Sequence, residues 1–231
     1  MSLLTMVQKA TDMIGINRPS AVVNSQDPTI KQLLSIAQVE GTSLSQRGEW
    51  AVLTQEASFE TVVDQSAYPL KQIAPDFDRM VGQTLWSRSG QYPLQGPMTP
   101  SAWQGGQVNQ MAAPFKQFRL RGGDLLIHPT PAAVEQIHFE YQSANWCQSS
   151  LGNGQSSWQA DDDTGLLDES LMLLGIIWRF KQAKGFAFQM ELMEYEKRVS
   201  AAMGRSGGAA VLNLVSHGGG LAEATLPESI G

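Results

Sequence analysis

At 231 residues, 42% of them hydrophobic and 16% charged, the chain has material for one large domain or two small ones. So little charge points to extensive buried or shared surface. A formal net charge of -6 argues against a basic-faced nucleic-acid binder, though a wall that DNA slides past without sticking stays open. No apolar run reaches the ~18 residues that cross a bilayer; the stretch 166–180 is short and contains Asp168 and Glu169. Met1-Ser2-Leu3-Leu4 has no basic start before a long apolar core, so no secretory signal is expected. The single cysteine, Cys147, allows neither an internal disulfide nor a CxxC metal clamp, and His128, His138 and His217 are scattered. A reducing compartment at synthesis and no cofactor or metal are expected.

Residues 2–14 place Leu3, Met6, Val7, Ala10, Met13 and Ile14 on one helical stripe, with Gly15 as the stop. Asp27-Pro28 reads as a cap with proline in the first turn. Ile30, Leu33, Leu34, Ala37 and Leu44 give the buried face of a second helix ending near Gly48. The pattern then changes. Period-2, β-prone runs at 49–54, 58–63, 82–86, 115–121, 124–127 and 136–141 are separated by turns, and Arg121-Gly122-Gly123-Asp124 suits a tight hairpin. Prolines at 69, 75, 93, 97, 100, 114, 129 and 131 make a long helix there improbable. Residues 76–81 fit one helical turn. This middle part, 49–148, reads as an antiparallel β-sandwich or open barrel inserted between helical parts.

A Gly/Ser/Gln-rich hinge at 146–159 precedes the stretch 161–203, which organises the rest. Asp161-Asp162-Asp163-Thr164 reads as a capped helix entry, and an apolar run follows through Leu166, Leu167, Leu171, Leu173, Leu174, Ile176, Ile177, Trp178 and Phe180. Lys181, Lys184 and Gly185 close it. A second helix follows, with Phe186, Met190, Met193 and then, after Lys197 breaks the run, Val199 as its apolar face and Glu191, Glu194, Glu196 and Arg198 opposite. A first helix apolar nearly all round must be covered on most sides, by its own chain or by other copies. The expected organisation is N-terminal helices at 1–48, the β part at 49–148, a helical hairpin completing a bundle at 149–204, and an extended C-terminal arm at 205–231. That arm is glycine-rich and carries the apolar string Val211-Leu212-Asn213-Leu214-Val215 and then Leu221, a composition expected to be disordered or docked on a partner.

Chemical motifs are weak. The acidic cluster Asp161, Asp162, Asp163, Asp168 and Glu169 misses calcium-loop spacing, with Gly165 fifth and Met172 twelfth from Asp161. His217-Gly218-Gly219-Gly220 resembles an oxyanion-hole string, but no GxSxG elbow exists. Cys147 reads as a buried thiol. The dispersed tryptophans read as core or interface anchors, and Lys116, Arg119 and Arg121 as one solvated strand face. No constellation supports an enzyme.

Several segments in fixed order are similar to the head-to-tail adaptor (connector) proteins of tailed bacteriophages, of the tail tubular protein A type found in short-tailed phages. They are Pro75 to Arg79, Thr84-Leu85-Trp86, Phe118 to Gly123, Ile127 to Pro131, Phe139-Glu140-Tyr141, Gly165 to Glu169, Gly175 to Gly185 and Glu194-Tyr195-Glu196. The resemblance spans Asp27 to Met203. It implies an α+β virion structural protein forming a ring of about twelve copies. Such a ring sits at the head–tail junction after assembly in the host cytoplasm. It joins the portal protein to a downstream tail or nozzle protein and extends the DNA channel, helping to retain and then eject the genome. It contacts DNA without sequence preference and no membrane. Leu171, Leu174, Ile177, Trp178, Val211, Leu212, Leu214, Val215 and Leu221 are then the candidates for subunit or portal contacts. The alternative is a β-rich receptor- or glycan-binding tail module stacking sugars on Trp103 and Tyr92. A cell-wall or DNA hydrolase would have only Asp162 and Glu169 as acids.

Overall fold

The computed structural model describes residues 1–108 and 116–206, and its first element begins where the sequence supplies a cap. Ser2 accepts from the Thr5 amide at the head of α1 (Leu3–Ile14), and Gly15 closes it in the left-handed region at φ 82°. Asp27 caps α2 (Pro28–Gln46) through the Thr29 amide at 2.7 Å. The chain then makes β1 (Thr54–Glu60), β2 (Ala67–Pro69), α3 (Leu70–Ile73), β3 (Phe77–Met80), β4 (Trp86–Ser87), β5 (Tyr92–Pro93) and α4 (Pro100–Val108). After these come β6 (Gln117–Arg121), β7 (Asp124–His128), β8 (Gln136–Ser143), β9 (Cys147–Gln148), β10 (Gly154–Gln155) and β11 (Thr164–Gly165). The last described elements are α5 (Glu169–Ala183) and α6 (Gln189–Ser206). The fold is α+β: helices from both ends of the chain pack together, antiparallel sheets are inserted between them, and the sheets do not close into a barrel.

One inserted sheet runs β1-β8-β4-β5, with β3 also paired to β8; the other runs β2-β7-β6. In the first, Ala57 faces Phe139 across the β1/β8 pair; in the second, Phe118 faces Ile127. Strand alternation turns these residues inward with Leu125, Ile137 and Tyr141, so the two sheets enclose one apolar core. The predicted Arg121-Gly122-Gly123-Asp124 hairpin is present, its two glycines at φ 63° and 91°.

Four local expectations change. Residues 49–54 are not all strand: Trp50 sends its indole N–H to the Leu44 carbonyl at 2.7 Å and its amide to Gln142 at 3.0 Å, pulling Ala51–Leu53 into a 3-10 turn before β1. Within 76–81 the chain is strand over Phe77–Met80, because Arg79 and Met80 pair with β8, and the Arg79 guanidinium caps the carbonyls of Ser45 and Gly48 at the end of α2. The stretch 146–159 is no hinge. It enters a small sheet, β10-β9-β11, and its Trp146 and Trp158 meet edge to face at 5.1 Å inside the helical core. Finally, α5 starts at Glu169 with Asp168 as its cap, so Asp161 to Thr164 precede the helix.

The helical core is organised by a buried carboxylate. Glu40 of α2 is fully buried; it accepts from Arg179 Nε of α5 at 2.6 Å and from the Tyr195 hydroxyl of α6 at 2.6 Å. Gly175 makes room for it, since a Cβ there would lie 2.1 Å from the Glu40 carboxyl carbon. Gly41 does the same for the Trp146 ring, 2.3 Å from its would-be Cβ. Overpacking a core of this density costs about 1–3 kcal/mol. Breaking a buried ion pair by removing one partner costs about 3–5 kcal/mol, and the partial exposure of Arg179 favours the lower end. Gly175→Ala is therefore expected to lower stability by roughly 1–3 kcal/mol, and Glu40→Ala by about 3 kcal/mol, in urea unfolding followed by tryptophan fluorescence. A Glu40→Ala chain as stable as the native one would show that the carboxylate is not the tie between the three helices.

Candidate interaction surfaces

The apolar helix needs no second copy to cover it. Leu171, Ile177 and Trp178 are buried by this chain's own α1, α2 and α6, and Leu174 is half-buried on the same core. The first three are thus core rather than contact residues, contrary to their assignment as interface candidates. The physical reason is that four helices, not two, share this core, so three neighbours dress α5. Val211, Leu212, Leu214, Val215 and Leu221 lie outside the described residues, as does the His217 string.

The bundle leaves apolar side chains uncovered on α6, as it does Met13 of α1 and Val39 of α2. The buried residues of α6 are Tyr195, Val199 and Ala202, with Phe188, Leu192 and Met203 partly buried beside them. At 100° per residue, Met193 and Met190 fall on the far side of the helix from Tyr195 and Val199. Met190 is 72% exposed, Met193 59% and Phe186 56%. The sequence contained two apolar stripes on this helix, and the one expected to be buried is mostly the one facing out. Charged pairs flank it: Lys181 with Glu191 and Arg198 with Glu194, the latter at 2.6 Å. Arg47, just after α2, holds Glu196, and that hydrogen bond keeps the Glu196 carboxyl below its ordinary range.

The acidic cluster is spent on structure. Asp161 accepts from the amides of Val22 and Val23, and Asp163 from those of Gln159 and Ala160. Glu169 pairs with the Met1 amino group. Burial pushes Asp168 up, but hydrogen bonds from Ser170 and Leu171 outweigh it and hold the carboxyl low. Asp162 is exposed. Among the described residues no group of three or more His, Cys, Asp or Glu side chains is placed to hold a metal. No described helix is long and apolar enough to cross a membrane. Cys147 is buried, and burial, reinforced by the nearby Asp163 charge, pushes its thiol up to about 12.

Of the two residues expected to stack sugars, Trp103 is buried and Tyr92 is half-buried. Trp103 lies edge-on to His128 at 6.0 Å, and Tyr92 donates its hydroxyl to Glu135 at 2.5 Å. Lys116 lies just before β6 and pairs with Glu135, so it does not share a face with Arg119 and Arg121. Strand parity should have separated it, since positions 116 and 119 differ by an odd number. Ser87 also donates to Glu135 at 2.8 Å. The exposed aromatic is Trp86, which sequence reading grouped with the buried tryptophans. It stands on the outer face of the β1-β8-β4-β5 sheet and lines a hollow of about 280 Å³ with Glu56, Arg88, His138 and Glu140. Its position after Leu85, which points inward, was the available signal.

No family model matches the chain, and no curated protein matches it significantly.

The Glu135 cluster gives a pH prediction. Burial pushes Glu135 up, but hydrogen bonds from Lys116, Tyr92 and Ser87 hold it below the ordinary carboxylate value. A carboxylate depressed on folding adds stability above its unfolded pKa and loses it as pH falls through the folded one. Acid should therefore unfold the native chain more steeply than a Glu135→Gln chain, in Tm measured against pH through the carboxylate range. Identical acid slopes would show that the cluster contributes nothing.

Proposed function

We propose that this chain is a structural protein of a tailed-phage virion. It is a ring-forming adaptor at the head–tail junction that joins the portal protein to a downstream tail or nozzle protein. The ring, of about twelve copies, continues the DNA channel and helps retain and then release the genome. The observation that carries the reading is the uncovered pair Met190 and Met193 on α6, with Phe186 exposed in the loop before the helix. It lies on a helical part built from both chain ends, on the helix that leads into residues 207–231. An exposed apolar stripe rimmed by charged pairs is the surface of a protein that completes itself on a partner. The ordered similarity of segments from Pro75 to Glu196 to adaptors of the tail tubular protein A type supports the same assignment.

The division of the fold suggests an orientation. The helical part, with the α6 stripe and the string Val211 to Val215 after it, meets the portal; the inserted sheets project toward the tail. A chain with net charge -6 suits a bore that DNA must traverse without sticking, because like charges repel over a screening length of about 8–10 Å.

Negative-stain images of the protein mixed with its portal should show rings capping the portal. Met190→Glu with Met193→Glu should leave the circular dichroism spectrum unchanged, both positions being exposed, yet abolish capping. Native protein that ignores the portal and stays monomeric beside it would refute the adaptor reading. Separately, removing residues 207–231 should preserve the melting temperature while abolishing portal docking; undiminished docking would rule out the arm as a contact.

A further inference from the structure

The two inserted sheets turn their outer faces in opposite directions, and the faces differ in charge, carboxylates predominating on one and arginines on the other. Phe118, Leu125 and Ile127 point inward from one sheet and Ile137, Phe139 and Tyr141 from the other, into the shared core. Strand alternation therefore sends the intervening residues outward on both sides. On the β1-β8-β4 side these include Glu56 and Glu60 of β1, His138 and Glu140 of β8, and Trp86, which is paired with His138. Glu56 is engaged by Arg88 and His138; Glu60 and Glu140 have no ion-pair partner among the described residues. Trp86, 46% exposed, stands over the hollow between them. On the β2-β7-β6 side Arg119 and Arg121 point outward from β6; Asp124 of β7 stands opposite Arg121 on the same face and Leu126, opposite Arg119, is buried beside α4, but neither guanidinium is in ion-pair contact with a carboxylate among the described residues. Arg121 edges a second hollow of about 310 Å³ beside α4.

We infer that a second copy of this chain binds here, the arginine face of one β part against the Trp86 face of the next. Arginine is the suited cation: its guanidinium stacks on an indole and bridges a carboxylate bidentately. Acidic face against acidic face would juxtapose Glu60 and Glu140 with themselves, so a two-fold pairing through either patch is disfavoured. The contact is heterologous: each copy keeps one free face of each kind, so the series either closes as a ring or continues as a filament. The inference deepens the ring reading and rests on it, assigning lateral contacts to the sheets while the α6 stripe serves the portal. Each face is a few short strands wide, less than the roughly 800 Å² per partner of a standard interface, so one contact is weak and ring closure consolidates many.

The test uses the full chain and two outward-face variants, Glu60→Arg with Glu140→Arg and Arg119→Glu with Arg121→Glu, none of which touches the core. In sedimentation velocity at low ionic strength, the native chain should self-associate and dissociate as salt is added. Either variant alone should associate about tenfold more weakly or less. An equimolar mixture of the two should recover native association, since each then offers the face the other lacks. Recovery on mixing is the result a general loss of folding cannot mimic. The inference is overturned if the variants associate like the native chain, if mixing restores nothing, or if the native chain stays monomeric at low salt. Variants that still cap a portal as rings would sink these faces and leave the adaptor; a native chain that caps no portal removes the adaptor reading as well.

Discussion

Three helices that come from opposite ends of the chain meet on one carboxylate. Glu40 accepts from Arg179 and from Tyr195, and no other described polar contact joins α2, α5 and α6 at a single buried point. A carboxylate taken wholly out of water is tolerated only when its charge and lone pairs are matched, and here a guanidinium and a phenol do so. Burial and the Glu40 charge together push the Tyr195 hydroxyl well above its ordinary range, which keeps it protonated as the donor the site needs. The pair sets which faces of α5 and α6 turn inward. With Tyr195 facing Glu40, Val199 and Ala202 follow it into the core, and Met190 and Met193 are carried to the outside.

The second constraint is the joint between the helical part and the sheets. Arg79 of β3 donates to carbonyls at the end of α2, and Trp50 ties that helix end to Gln142 of β8. Asp76 accepts from the Tyr141 hydroxyl and from Ser143, fixing the loop that delivers β3. Charge-assisted bonds to helix-end carbonyls are directional, so they register the sheets against the helices where a purely apolar contact would let them slide. An adaptor transmitting force between two partners would make use of such a joint.

Some of this was legible and some was not. The cap Asp27, the stop at Gly15, the Gly122-Gly123 hairpin and the inward alternation of β6 to β8 follow from spacing and residue type, and all are present. Glu40 was also visible in principle: it falls in step with Leu33, Ala37 and Leu44, a charged residue on an apolar stripe. The small sheet at 147–165 was hidden by its Gly/Ser/Gln composition, because two-residue strands leave no period to detect. On the candidate surfaces, spacing gave one apolar face for α6 that joined the exposed Met190 and Met193 to the buried Val199, and it pooled Trp86 with tryptophans that are buried.

The amino-acid sequence alone settled the class of fold, helices at both ends with antiparallel strands between, because hydrophobic period and capping residues are local signals. Tertiary structure alone decided what is covered. Whether Leu171 and Trp178 face a neighbour or their own bundle depends on how many helices share the core, and whether Met190 or Tyr195 turns inward depends on a partner 155 residues away in the case of Tyr195 and Glu40. Burial is a property of pairs of distant segments, and a single helix carries no record of which of its faces will find one.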